Sequence, residues 1–420
     1  MARGYPVTRS SPDPDPAVVG PSPGGGTLGV VRIVVVTESF LPTLNGVTTS
    51  VCRVVECLAA QGHRVSVVCP RPAPAEHAGV PVHAVPSVSV RAFPTGLPSG
   101  AVRDVLEELR PDVVHIASPF VLGARALRET ARLGSPSVAV YQTDMPSYLA
   151  QHAPRPVGPG ASQAAWRWVR RVHGLADLTL APSRHTMAEL AAHGVPRTAR
   201  WGRGVDARLF HPGRRDAVAS ARRELAPDGE VVVGYVGRLA PEKELDRLAD
   251  VARVPGVRLV LVGDGPDRAR TAALLAEAVA STPGRPNRPP VLLGARSGEA
   301  LADAYGLLDV FVHTGTRETF WQTLQEAHAS GLPVVAPARG GPLDLVEHGR
   351  TGLLVDPDRP GALAAAVAAL VADPALRARM GRAGRASVEG RTWAGVTAEL
   401  VGHYEGAVDA RWSRRGRRAA

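Results

Sequence analysis

From Val31 onward the chain alternates short apolar runs, rich in valine, with helical stretches several turns long. Strands that are apolar at every position bury both faces, and helices between consecutive strands supply the cover. The alternation therefore predicts parallel sheets with helices on both sides. Strands are predicted over 31–37, 64–69, 112–117, 137–142, 178–181 and 199–203, and again over 231–236, 258–262, 291–293, 310–313, 334–336 and 352–355. The first helix opens near Gly46. Val47, Val51, Val54, Val55 and Leu58 fall on one of its faces, and Gly62 suits its end. Between the two sets the alternation lapses over 206–229, a polar, arginine-rich stretch holding Pro212, Gly213 and Pro227. The predicted architecture is α/β, with two doubly wound, Rossmann-like domains over 31–212 and 213–395 and a helix over 396–410 returning to the first domain. Open sheets of this kind bind ligands beyond the carboxyl ends of their strands, so two facing domains would enclose a deep cleft.

Charge changes this picture little. Lysine and arginine total 49 against 39 acids, a net charge of +10. Arg411, Arg414, Arg415, Arg417 and Arg418 concentrate half of it in a predicted basic tail over 411–420. Residues 1–30 hold six prolines and six glycines with balanced charge, and read as a disordered tail rather than a signal peptide. The folded body is mildly basic, so nucleic acid is not indicated as a partner. All but one of the basic residues are arginine, and the exception is Lys243. Cys52, Cys57 and Cys69 have neither disulfide-framework nor zinc spacing, which points to a reducing, cytoplasmic setting. The apolar stretch over 363–372 is too short to span a bilayer.

Candidate chemistry gathers at strand ends. The first strand runs into Thr37-Glu38-Ser39-Phe40, and an Asn45-Gly46-Val47 turn opens the helix. Glycine lets a ligand approach there, and open amides with the helix dipole would favour a phosphate. The Gly237-Arg238-Leu239-Ala240-Pro241-Glu242-Lys243 loop offers a forked and a mobile cation, suited to a diphosphate whose charge grows as it leaves. Glu318 and Glu326 lie about two helical turns apart, a distance suited to two parts of one extended ligand, with the amides of Thr319 and Phe320 between them. Asp356-Pro357-Asp358 looks like a metal-binding Asp-x-Asp but reads better as a loop and helix cap, and no metal cofactor is expected. Trp166-Arg167-Trp168-Val169-Arg170-Arg171 mixes indoles and guanidinium groups, which suits either an anionic membrane face or a helix with core tryptophans and solvated arginines. Val262-Gly263-Asp264-Gly265 suggests a nicotinamide-dependent dehydrogenase, although the third glycine position is Arg268.

These motifs, together with Gly204-Val205-Asp206 followed by Phe210 and Pro212, and Gly340-Gly341-Pro342, resemble the retaining glycosyltransferases of family 4, which have the GT-B fold. The resemblance runs from about Val31 to Tyr404. It implies that Arg238 and Lys243 bind the donor diphosphate, that Glu318 contacts the donor sugar and that Glu326 holds the ribose hydroxyls. Gly46, Thr319 and Phe320 complete the donor site, and Glu38, Gln142 and Asp144 orient sugar or acceptor. Arg238, Lys243 and Glu318 are the implied catalytic residues. Within the family the chain looks most like actinobacterial GDP-mannose-dependent α-mannosyltransferases acting on glycolipids. The cues are Glu38 to Pro42, Tyr141 to Asp144 and Trp201 to Asp206. Many members carry a histidine where this chain has Gln142, which cannot titrate. Retention in the family is explained by attack on the face the leaving group departs from, with the leaving phosphate taking the acceptor proton. The implied partners are a nucleotide-sugar donor and a lipid-linked or glycan acceptor; peripheral contact with the inner face of the membrane is one of the two readings of the Trp166 to Arg171 stretch. A UDP-sugar donor, or nucleotide-sugar binding without transfer, are the other readings.

Overall fold

The computed structural model describes residues 29–419 except 44, 91–92, 97–99, 143–145, 147–157, 283–286 and 317–320. The predicted tail over 1–30 falls almost wholly outside the described residues.

The first sheet contains β1 (Arg32–Val36), β2 (Arg64–Pro70), β3 (Glu76–His77), β4 (Val80–Val85), then β7 (Val113–Ile116), β8 (Ser137–Val140), β9 (Leu178–Ala181) and β10 (Thr198–Arg200). β5 (Ser87–Val90) and β6 (Phe93–Gly96) form a separate hairpin. The helices are α1 (Gly46–Ala60), α2 (Ala101–Leu109), α3 (Val121–Leu133), α4 (Gly158–His173) and α5 (Arg184–Ala192). Strand order is β10-β9-β8-β7-β1-β2-β4-β3, parallel throughout except for β3. β1 shows why the valine runs form buried strands. Ile33 and Val35 enter one apolar cluster with α1, while Val34 and Val36 enter another with α2 and α3.

The second sheet is fully parallel, in the order β13-β12-β11-β14-β15-β16. Its strands are β11 (Val231–Val236), β12 (Val257–Val262), β13 (Val291–Leu292), β14 (Val310–Val312), β15 (Val334–Pro337) and β16 (Gly352–Val355). The helices around it are α6 (Arg214–Ala217), α7 (Ala219–Leu225), α8 (Leu248–Ala252), α9 (Arg268–Ala280), α10 (Gly298–Gly306), α11 (Gln322–Ala329), α12 (Pro342–Leu345), α13 (Ala362–Ala372) and α14 (Pro374–Val388). In both sheets the chain winds outward from the first strand and then restarts on its other side. The switch points between β1 and β7, and between β11 and β14, are where such sheets open a crevice.

The chain crosses between domains twice, and the crossings touch. Val205 N donates to Arg391 O at 2.9 Å. A Cβ on Gly204 would stand 2.6 Å from Trp393 N, so only glycine permits this approach. The last helix, α15 (Trp393–Ala419), then lies on the first domain. Trp201 Nε1 donates to Val396 O at 2.8 Å, and the Tyr404 hydroxyl meets His115 Nδ1 at 2.9 Å in the interior. The expected helix end at 410 and separate basic tail are corrected. The helix continues, and Arg411 and Arg414 both reach the buried carboxylate of Asp177.

Two other departures have local causes. β3, β4, β5 and β6 are not among the predicted strands; Pro81 in β4 and Pro94 in β6 are accommodated because sheet edges and hairpins tolerate the missing donors. The polar lapse over 206–229 contains α6 and α7, and Phe210 within it is buried in the second domain's core.

Candidate active site

At the second domain's switch point, the loop after β11 is held by its backbone. Leu239 N donates to Asp264 O at 2.9 Å and Asp267 N donates to Leu239 O at 3.0 Å. Leu239 and Ala240 are fully buried, while Arg238 just before them is exposed. Pro241–Lys243 forms a single 3-10 turn. Thr314 Oγ1 donates to Lys243 O at 2.6 Å and Thr316 Oγ1 to Glu244 Oε1 at 2.5 Å, so the loop after β14 is tied to the turn carrying Lys243. Glu318, Thr319 and Phe320 lie just beyond that tie, outside the described residues.

Glu326 lies on α11. Tyr305, fully buried on α10, donates its hydroxyl to Glu326 Oε2 at 2.9 Å. Burial pushes the Glu326 carboxyl up to about 7, and the Tyr305 hydrogen bond pulls it back down. Its charge is therefore poised near neutrality. Tyr305 in turn packs edge-on against Phe210 of the first crossing, with ring centroids 5.5 Å apart. At the start of α11, Trp321 is 1% exposed and lies 4.1 Å from the His313 ring. The Gly340-Gly341-Pro342 motif fits against it, since a Cβ on Gly341 would come 2.4 Å from the indole.

At the first domain's switch point, Asn45 caps α1. Its Oδ1 accepts from Val47 N and Thr48 N at 2.9 and 3.0 Å, and its Nδ2 donates to Ser39 Oγ at 2.7 Å. The expectation of open amides beside Gly46 is corrected, since two of them belong to Asn45. Glu38 gives Oε1 to the start of α3, accepting from Leu122 N and Gly123 N. That use was not foreseen. Gln142 donates Nε2 to Ala117 O at 2.5 Å and accepts from Arg203 at 2.7 Å. Asp144 lies outside the described residues. Neither Arg203 nor Tyr305 was singled out from the sequence.

Three secondary motifs resolve. Gly263 and Gly265 serve the β11 loop. Cβ atoms there would come 1.9 Å from Gly237 O and 2.2 Å from Leu239 O, so these glycines fit a neighbouring backbone rather than a dinucleotide. Asp356 Oδ1 accepts from Asp358 N, and Asp358 pairs with Arg339 at 2.7 Å, which makes the Asp-x-Asp a turn. Among the described residues no three metal-ligating side chains cluster. On α4, Trp166 stacks on His193 at 3.7 Å and Trp168 meets Phe120 edge-on, while Arg167, Arg170 and Arg171 are exposed. No described helix is long and apolar enough to cross a membrane.

Comparison with known proteins adds to this geometry. Residues 44–209 match the family described as Glycosyltransferase Family 4, and residues 219–387 match Glycosyl transferases group 1. The chain is 48% identical over 385 residues to the GDP-mannose-dependent alpha-mannosyltransferase of Mycobacterium tuberculosis, covering 89% of this chain and 96% of that protein. It is also 48% identical over 401 residues to the protein of the same name from Mycolicibacterium smegmatis, covering 93% and 100%. Among solved structures, sucrose-phosphate synthase from Thermosynechococcus elongatus aligns with a TM-score of 0.73 at 23% identity, over 90% of this chain and all of that one. Anabaena HepE in complex with UDP aligns with a TM-score of 0.72 at 20% identity, over 89% and 100%. At those identities the two structures establish the two-domain GT-B fold.

Proposed function

Because the chain belongs to glycosyltransferase family 4, we propose that it moves mannose from GDP-mannose onto a glycolipid or other glycan or lipid acceptor, with retention of configuration. The observation that carries this reading is the 48% identity, over about nine tenths of the chain, to two proteins named for that donor and sugar.

In this reading the exposed Arg238 and the Lys243 turn receive the diphosphate. Glu318 contacts the mannose, the amides of Thr319 and Phe320 face the donor and Glu326 accepts from the ribose hydroxyls. The anomeric C–O bond to phosphate breaks and the acceptor oxygen attacks from the same face. Its proton passes to the departing phosphate oxygen, giving GDP and the mannosylated acceptor. The cations offset charge that grows on the leaving group, which is where electrostatic catalysis contributes most. Gln142, Asp144 and Glu38 take the role of orienting sugar or acceptor in this reading, and Gln142 acts by hydrogen bonding because it cannot titrate. No metal takes part. The exposed arginines of α4 make peripheral contact with an anionic membrane from the cytoplasmic side, a reading supported by their charge and tested by sedimentation with phosphatidylglycerol vesicles at low and high salt.

The deciding experiment incubates purified protein with GDP-mannose or UDP-glucose, with and without EDTA, and follows nucleotide release. GDP release unaffected by EDTA is expected. Preferential UDP release would overturn the donor assignment, and binding without release would make the protein a nucleotide-sugar binder.

A further inference from the structure

Among the described residues, four other than glycine have positive φ, and one of them, Glu244, directly follows Lys243. At φ 51° and ψ 44° it joins the 3-10 turn over Pro241–Lys243 to a second over Leu245–Arg247. A Cβ makes this left-handed conformation costly, and a residue keeps it only where its surroundings hold it there. Glycine would make the same joint freely. What Glu244 has and glycine lacks is a carboxylate, and both of its oxygens are engaged. Oε1 accepts from Thr316 Oγ1 at 2.5 Å, and Oε2 accepts from Arg247 Nε at 2.8 Å. Arg247 extends the connection, since its Nη1 donates to Pro357 O after β16.

Thr316 is buried and lies two residues before Glu318. The backbone leading to it runs along the Lys243 turn. Thr314 donates to Lys243 O, and a Cβ on Gly315 would come 3.3 Å from Glu242 O and 3.4 Å from Lys243 Cα. The Glu244 carboxylate therefore stands where the loops after β11, β14 and β16 meet. Lysine carries a point charge on a flexible stem, so the region its ammonium can reach is set by where its backbone is pinned. We propose that Glu244 is the positioning residue for Lys243, pinning the lysine's backbone against the loop that leads to Glu318 so that the ammonium meets the departing diphosphate. Small displacements of such a charge are expensive in rate, which gives the carboxylate a function that the turn alone does not explain. The proposal rests on the reading of Lys243 as a ligand of the donor diphosphate.

The test measures GDP release from saturating GDP-mannose, and the melting midpoint, in the full-length protein and its variants. Glu244→Gly frees the backbone and deletes the carboxylate. Its midpoint should stay within about 2 °C, because relief of the left-handed conformation offsets the lost bonds, while turnover falls roughly tenfold. Glu244→Gln, whose amide oxygen still accepts from Thr316, should hold turnover within about threefold. In a Lys243→Ala background, Glu244→Gly should slow turnover by less than about twofold more, since no ammonium is left to position. Turnover within about twofold of the unsubstituted protein in Glu244→Gly would overturn the proposal, and so would an equal fractional loss with and without Lys243. If Glu244→Gly does not fold, Thr316→Val removes the other end of the same bond. A loss of roughly threefold that vanishes in the Lys243→Ala background then supports the role, and unchanged turnover ends it. Full turnover in Lys243→Ala would remove the reading of Lys243 itself. A slow Lys243→Ala beside a fully active Glu244→Gly would leave that reading standing and remove only the role of Glu244.

Discussion

Lys243 is the single lysine in the chain, and it ends a one-turn element whose backbone is tied to the loop leading to Glu318. If it neutralises the departing diphosphate, Lys243→Ala should lower kcat by about 10²-fold at saturating donor, the scale of losing one preorganised electrostatic contact in a closed site. Unchanged turnover would remove that role. Glu326 allows a second prediction. The ionised carboxylate is the stronger acceptor for ribose hydroxyls, and burial raises the group to about 7, so donor KM should fall as pH rises through that value. Tyr305→Phe deletes the bond that favours the carboxylate. It should move the midpoint to higher pH and raise donor KM near neutrality roughly three- to tenfold, as the loss of about one hydrogen bond implies. A pH profile of KM superimposable on that of the unsubstituted protein would count against it. The motif residues were legible from the sequence because they follow strand ends at fixed spacing. Arg203 was hidden by composition, as one arginine among dozens. Tyr305 was hidden by geometry, since it meets Glu326 across two helices and no local spacing announces the pair.

Valine runs made the strands readable, and the second sheet in particular falls where the apolar runs stand. The less legible elements were those stabilised from outside themselves, such as the proline-containing edge strands over 76–96 and the short helices α6 and α7. The glycine pair after β12 shows how one element supports another's chemistry. Gly265→Ala places a methyl 2.2 Å from Leu239 O, and neither backbone can move cheaply. The loop presenting Arg238 and Lys243 must shift instead, so donor KM should rise and kcat should fall with little change in circular dichroism. Full activity in that variant would show that the loop's position is unimportant. Asn45→Ala, which removes the cap of α1, should lower stability by about 1 kcal/mol, measured by urea denaturation.

The whole molecule is held by what returns to its beginning. Asp177 is a buried carboxylate that also bonds Ser137, and α15 brings it Arg411 and Arg414. Removing residues after 410 would strand that charge, at a cost of roughly 1–3 kcal/mol given the partial exposure of Arg414. At roughly 2–4 °C per kcal/mol, that should lower the melting midpoint of the first domain by several degrees. An unchanged midpoint would mean that the ion pairs contribute nothing. The touching crossings at Val205 and Arg391 carry a topological consequence as well. Because the chain leaves the first domain and re-enters it through two adjacent strands of backbone, the second domain is an insert rather than a successor. A gene cut after the first crossing would encode a half lacking its own last helix. Excising the codons between the crossings and rejoining the ends with a short bridge would encode a complete one.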